Sequence, residues 1–257
     1  MNLRYTTVAL YTLTRREVLR FARIWIQTML PPAVTTVLYF VIFGKLIGSQ
    51  IGPIDGHSYI EYIIPGLILM SVITNAYANV VASFYSSKFH GNIEEMLISP
   101  MPAYIILAGF IIGGVLRGLL VGAVVFGVSL FFGHLPYPDI GLTLLMLLMT
   151  AALFSMAGLI NGVYAKSFDG ISIIPTFVLT PLTYLGGIFY SLEMLPDFWR
   201  GVSLLNPIFY MINVFREGAL GSSDIGAGLA IGITALFLVA FTAICLYLLD
   251  RGVGIRT

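Results

Sequence analysis

Residues 226–249, GAGLAIGITALFLVAFTAICLYLL, carry no charged side chain, and neither do residues 62–87 or 140–165. About 20 consecutive apolar residues suffice to cross the hydrocarbon core of a bilayer as a helix. In lipid every backbone N–H and C=O must find a partner within the chain, which leaves helices and closed barrels as the spanning structures. Barrel strands would alternate apolar and polar residues in segments of about ten, and these runs do not alternate. The chain therefore reads as an all-α, polytopic membrane protein. Composition agrees: 58% of its 257 residues are hydrophobic and 10% charged, where a soluble domain carries about 25% charged residues.

Six spans are expected, at roughly 27–48, 60–83, 104–132, 139–163, 171–190 and 226–249. Nearly every residue belongs to a span or a short connector, so 1–257 reads as one membrane domain. It divides into an amphipathic segment (1–26), a six-span bundle (27–249) and a tail (250–257). In the first part Val18, Phe21, Ala22, Trp25 and Met29 fall on one helical face and Arg16, Arg20, Arg23 and Gln27 on the other. That pattern predicts an interfacial helix lying along an anionic leaflet. The arginines at 15, 16, 20 and 23 also interrupt any short apolar core, so a cleavable signal is not expected.

Orientation follows from Lys and Arg, which accumulate on the cytoplasmic side. With the N-terminus inside, Arg4, Arg15, Arg16, Arg20, Arg23, Lys88, Lys166, Arg251 and Arg256 are inside; Lys45, Arg200 and Arg216 are outside. Both termini are thus expected in the cytoplasm. The outer connector 191–225 is anomalous, being apolar and aromatic yet too interrupted for two more spans. Two short helices that dip into the outer leaflet and return would fit, with Pro196 and Pro207 marking helix starts or turns. Its acidic residues, Glu193, Asp197, Glu217 and Asp224, are expected to keep the tips in water.

The first inner loop, KFHGNIEEMLISPMP, reads as a short capped helix. Asn92 is the expected cap and Glu95 its capping-box partner. Glu94 and Glu95 suit the positive end of the helix dipole. Ile93, Met96 and Leu97 form an apolar face, and Pro100 and Pro102 stop the helix. A bland connector resting on lipid headgroups would also place apolar residues here, but the acidic pair suits a basic protein partner better. In the second inner loop, Lys166 and Asp169 read first as a solvated turn and second as a minor contact with the same partner.

Within the spans two polar features stand out. Ser71, Asn75, Asn79 and Ser83 recur every four residues, one stripe on an apolar helix. Such groups bond helix to helix, at about 0.6–2 kcal/mol each in membranes, or line a pathway. Arg117 lies about 20 Å into the third span at 1.5 Å per residue, where an arginine costs at least ~2.5–3.5 kcal/mol unless paired or hydrated. A structural pairing with Glu61 is the first expectation, with gating or substrate contact the rival. Gly114, Gly118 and Gly122 around it would admit a neighbouring helix closely.

Chemistry-bearing constellations are lacking. His57, His90 and His134 stand on three different loops, so no metal cluster is suggested, and there is no nucleophile elbow. Cys245, the single cysteine, excludes an intrachain disulfide. The net charge of +1 suggests no nucleic-acid partner. No GxxxxGK[ST] phosphate loop occurs, so energy must come from another chain or from an ion gradient.

EEMLISPMP after the second span, and PLTYLGGIFYSLEMLPDFW followed by LLNPIFYMINVFREG before the last, resemble the ABC-2 type permease family. These proteins are membrane subunits of bacterial ATP-binding-cassette exporters. The likeness covers essentially the whole chain and looks closest to small YadH-type permeases, which share the VITNAYANV and FVLTPLTYLGG runs. The resemblance implies a type V exporter-like fold: six transmembrane helices, an N-terminal interfacial amphipathic helix and two short re-entrant helices within 192–220. It further implies that Asn92, Ile93, Glu94, Glu95, Met96 and Leu97 form the coupling helix, seated in a cleft of the ATPase. Two copies of that subunit would bind ATP and Mg, with no cofactor in this chain, and would work with a homodimer of the permease among membrane lipids. The pathway at the dimer interface would be lined from the second and fifth spans, with Ser71, Asn75, Asn79, Arg117, Thr180 and Tyr184 as candidates. Phe189, Tyr190, Phe198, Trp199, Phe209 and Tyr210 would form or flank an outer gate. The cargo would be a glycan, a lipid-linked or an amphipathic molecule leaving the cytoplasm through the bacterial inner membrane. The alternative is an ion-coupled secondary transporter, which would need carboxylates or broken helices at the bilayer midplane.

Overall fold

The computed structural model describes residues 3–99 and 101–254, apart from the side chains of Leu3, Lys45 and Ser49. Pro100 and Arg256, invoked above as a helix stop and an inner charge, lie outside the described residues. The helices that build the protein begin with α1 (Leu3–Ala22), α2 (Trp25–Tyr39), α3 (Tyr59–Phe89), α4 (Asn92–Ile98) and α5 (Ala103–Ser129). They continue with α6 (Ile140–Tyr164), α7 (Gly170–Tyr184), α8 (Asp197–Leu204), α9 (Pro207–Leu220) and α10 (Ala227–Arg251). No strand occurs among the described residues.

Helix α3 is the axis of the molecule. It starts at a complete capping box, in which the Ser58 hydroxyl accepts from the Glu61 amide and the Glu61 carboxylate accepts from the Ser58 amide. Both bonds satisfy donors that the first helical turn leaves free. The helix then runs 31 residues, about 46 Å, and packs against α5 on one side and α6 on the other. The crossings are close because glycines carry them. A Cβ on Gly158 of α6 would meet the Tyr77 carbonyl oxygen, and one on Gly118 of α5 would meet Ala76 and the Val72 carbonyl. The glycine spacing read in the third span thus marks a genuine helix seam.

Five helices are long and apolar enough to cross a membrane: α2 with its continuation to Gly44, α3, α5, α6 and α10. The predicted fifth span is shorter than expected. Its helix, α7, covers 15 residues and stops at Tyr184; the chain then turns through Gly187, whose φ of +77° suits glycine. Both α2 and α7 lose α-helical register. Residues Phe40–Ile47 and Pro175–Leu179 are π-helical, a conformation that appears mostly as short bulges, often at functional sites.

The anomalous connector is a pair of helices. Pro196 caps α8 at its start, Asn206 caps α9 with its side chain, and Pro207 occupies the first turn of α9, where its missing N–H costs nothing. Gly221 ends α9 in left-handed conformation. Helix α8 is largely exposed, whereas α9 is buried against α6, α10 and α3. A second, smaller core at the opposite end joins Phe84, Ile93, Phe110, Leu159 and Leu248.

Candidate functional site

At the end of the bundle that holds both described chain ends, α4 projects as a separate short helix. Its apolar face is the expected one: Ile93 is buried in the second core and Met96 and Leu97 pack against it. Asn92, Glu94 and Glu95 are exposed on the opposite side. The cap differs from the expectation. Gly91, at φ +75°, occupies the capping position and no side chain bonds the first turn, because Asn92 is already helical. The mount is anchored from below by Lys88, whose Nζ donates to the carbonyls of Val163 (2.6 Å) and Ala165 (3.1 Å) at the end of α6. Between these parts lies a groove of about 570 Å³ that includes Phe89, Glu94, Tyr164 and Lys166. Asp169 is exposed in the adjoining turn.

The amphipathic segment is helical as predicted, but Arg16, Glu17 and Arg20 turn inward while Arg4, Arg15 and Arg23 stay exposed. Helix α1 runs along α5, with Leu13 against Gly109 and Glu17 against Gly113. Glu17 is 1% exposed and holds three groups. Its carboxylate accepts from Arg16 at 3.0 Å and from the Ser83 hydroxyl at 2.5 Å, and lies 3.5 Å from Arg20. Arg20 in turn donates to the backbone and side-chain oxygens of Asn79. Arg16 and Arg20, assigned above to a lipid-surface face, turn toward α3 because a buried carboxylate and an asparagine are there to receive them. Charges taken from water need such partners.

The polar stripe of α3 is therefore divided. Asn79 and Ser83 are occupied by α1. Ser71 and Asn75 instead border a cavity of about 300 Å³ between α2, α3 and α5, together with Thr28, Thr36, Thr74 and Arg117. Among the described residues Asn75 bonds along its own helix, to the Ser71 carbonyl. Arg117 does not pair with Glu61, which is held at the α3 cap. The Arg117 Nε is buried without a hydrogen-bond partner, and both ion pairs found among the described residues are on Glu17.

The opposite end is organised by aromatic side chains and one arginine. Tyr39 and Tyr184 share a hydroxyl–hydroxyl bond of 2.6 Å, and Phe43 stacks on Phe189 at 4.6 Å. This cluster joins the ends of α2 and α7 beside their π-helical turns. Arg216 of α9 is 1% exposed. It donates to the Gly187 carbonyl, and its guanidinium lies 3.9 Å from the centre of the Tyr62 ring, a cation–π contact. The Tyr59 and Tyr62 hydroxyls donate to the carbonyls of Phe189 and Tyr190. The turn after α7 is thereby fixed to α3. Asp224 is half-buried rather than free in water; its burial outweighs the attraction of Arg216 and holds its carboxyl above the ordinary range.

The candidate gate residues separate into three groups. Tyr184 and Phe189 belong to the aromatic cluster, while Phe198 and Trp199 are exposed on α8. Phe209 is buried against Gly187, Tyr190 faces Ser203, and Tyr210 donates to the Leu204 carbonyl, bracing α8 on α9. Thr180 is exposed and donates to the Pro175 carbonyl across the π-helical turn. Glu17, Tyr39, Tyr62 and Arg216 escaped the sequence reading. For Arg216 a signal existed, a lone cation inside the apolar run PIFYMINVFREG.

Residues 8–220 match the family model described as ABC-2 type transporter. The chain is 56% identical over 250 residues to the inner membrane transport permease YadH of Escherichia coli strain K12, covering 97% of this chain and 98% of that protein. Nodulation protein J is a more distant relative. The Rhizobium meliloti protein is 24% identical over 88% of this chain and 86% of its own length, and that of Rhizobium leguminosarum bv. viciae 24% over 92% of each.

Proposed function

The chain belongs to the ABC-2 type transporter family and is a multi-pass inner-membrane protein, and on that premise we propose that it is the permease subunit of an exporter driven by a separate ATPase. In this reading α4 is the coupling helix. The observation that carries it is the mounting of α4: its apolar face is keyed into the second core while Asn92, Glu94 and Glu95 are presented outward. A helix held this way passes a push from its outer face to α3, α5 and α6 without melting. Lys88 makes the mount continuous with α6.

Two permease copies and two ATPase copies would form the working unit, with ATP and Mg on the ATPase. Both termini and α4 would face the cytoplasm. At the far end α8 and α9 would be the re-entrant pair, and the joint between α7 and the tyrosines of α3 would be the part that opens. The cargo would be a glycan, a lipid-linked or an amphipathic molecule. Against an ion-coupled carrier stands the setting of Glu17, the buried carboxylate among the described residues, which is paired with two arginines.

The test is co-purification of the detergent-solubilised permease, extracted from its own cells, with an ATP-hydrolysing subunit. Wild type is expected to retain an ATP-hydrolysing subunit. The double variant Glu94→Lys with Glu95→Lys is expected to lose it while eluting as the same monodisperse species. Retention of the ATPase by the charge-reversed variant would show that α4 is not the coupling surface.

A further inference from the structure

We infer that the cavity between α2, α3 and α5 is a binding site for an oxyanion, a phosphate or carboxylate, carried on an amphiphile, with Arg117 as the group that recognises it. The inference rests on the permease reading for its biological meaning and deepens it by naming a chemical class of cargo.

Four observations converge. Arg117 is the fifteenth residue of a 27-residue helix, so it lies near the middle of the bundle rather than at an end where it could reach water along its stem. Its Nε is buried without a partner, as are those of Arg20 and Arg216, but those two have carboxylate, carbonyl or ring partners whereas Arg117 has none among the described residues. Arg20, the charge that acts on it, is also a cation. The carboxylate of Glu17 is already taken by Arg16 and Arg20, and no ion pair reaches Arg117 among the described residues. The local charge is therefore positive and incomplete. A planar guanidinium with unused donors matches the oxygens of a carboxylate or phosphate in a two-pronged contact.

The cavity around it has two characters. Its lining mixes the hydroxyls of Thr28, Thr36 and Ser71 and the amide of Asn75 with the apolar Pro32, Leu67 and Met70. At about 300 Å³ it holds a headgroup, not a whole amphiphile. The remainder has a place to go, because α2 is little buried and presents Leu30, Val34 and Leu38 outward. A charged head at Arg117 and an apolar tail along α2 use both features. A neutral amphiphile would leave the guanidinium as it stands now.

The experiment measures binding of radiolabelled lysophosphatidic acid to the full-length chain in a neutral maltoside detergent, without ATPase. Wild type is expected to bind at least tenfold more tightly than Arg117→Gln. Arg117→Lys, which keeps the charge but loses the fork, should fall between them. Unlabelled lysophosphatidic acid and oleate should displace the label, whereas monoolein, uncharged with a similar chain, should not. Inorganic phosphate should fail to displace it at concentrations where the lipid succeeds; equal displacement would make free phosphate the ligand and overturn the amphiphile assignment. Displacement by monoolein as effective as by oleate, or undiminished binding to Arg117→Gln, would overturn the site. Should Arg117→Gln not elute as a monodisperse species, the competition on wild type and the Arg117→Lys affinity decide. Loss of ATPase capture leaves this measurement untouched, so failure of the site and failure of the coupling reading are told apart.

Discussion

Arg216 and Arg117 are both cations inside apolar helices, and the protein treats them in opposite ways. Arg216 is enclosed: the Gly187 carbonyl takes one of its nitrogens, the Tyr62 ring covers its face, and Asp224 acts on it from a few residues beyond the end of α9. Arg117 has a cavity in front of it and another arginine as its charged neighbour. The Nε of Arg216, like that of Arg117, has no hydrogen-bond partner, but a buried charge that is received by a carbonyl and a ring fixes the parts it touches, here α9, α3 and the turn after α7. One that is left unreceived is costly to the fold, and that cost makes sense where the missing partner is a molecule that comes and goes. The contrast separates a structural arginine from a recognition arginine on geometry alone.

The comparison breaks most visibly at Arg216. Arg216→Met keeps an unbranched apolar stem but removes the guanidinium and its charge, leaving the Gly187 carbonyl unpaired and removing the cation that acts on the half-buried Asp224. Losing a buried, hydrogen-bonded charge of this kind should destabilise the chain by about 2–4 kcal/mol. A clear drop in thermal midpoint in detergent is the expected result. An unchanged midpoint would mean that the α9–α3 joint does not depend on the arginine.

A smaller effect divides the joint into its parts. Tyr62→Phe keeps the ring under Arg216 and deletes the hydroxyl that donates to the Tyr190 carbonyl at 3.1 Å. The net worth of one such bond is about 1 kcal/mol, so the midpoint should fall by a fraction of the Arg216→Met drop. A fall as large as that of Arg216→Met would assign the joint to the hydroxyl and make the cation–π contact incidental.

The four helices α3, α5, α6 and α10 were legible because nothing but an apolar helix fits their long apolar runs, broken in α5 by Arg117 alone, and their ends fell within a few residues of expectation except where α3 continues to Phe89. The four-residue spacing of Ser71, Asn75, Asn79 and Ser83 correctly put them on one face, and that of Gly114, Gly118 and Gly122 marked a close seam. Spacing does not say what covers a face. Asn79 and Ser83 are met by Arg20 and Glu17, 59 and 66 residues away, and a lone glutamate among arginines reads as a surface residue until the helix beside it is known. Arg216 hides for the same reason, since its partners are a backbone carbonyl and the face of a ring, neither of which is a charge that pairing rules would find. The π-helical turns in α2 and α7 leave no mark on apolar periodicity. The Asn92 cap failed on backbone grounds, because the left-handed Gly91 already ends the preceding turn one residue earlier.

The smallest loss is expected at Arg117, and it is the sharpest test of the contrast. Arg117→Met removes a cation for which no carboxylate, carbonyl or ring is recorded as a partner among the described residues, so nothing is orphaned by its loss. The methionine is flexible enough to fill part of the cavity, and the like-charge repulsion with Arg20 disappears. Taking an unpaired arginine out of a span should on balance favour the fold. The thermal midpoint of the ligand-free chain should therefore hold or rise. Added lysophosphatidic acid should raise the midpoint of wild type and leave that of Arg117→Met unmoved, since a ligand stabilises only the state that binds it. A midpoint that falls as it does for Arg216→Met would mean that Arg117 already has its partner within the protein, and the two arginines would then be of one kind.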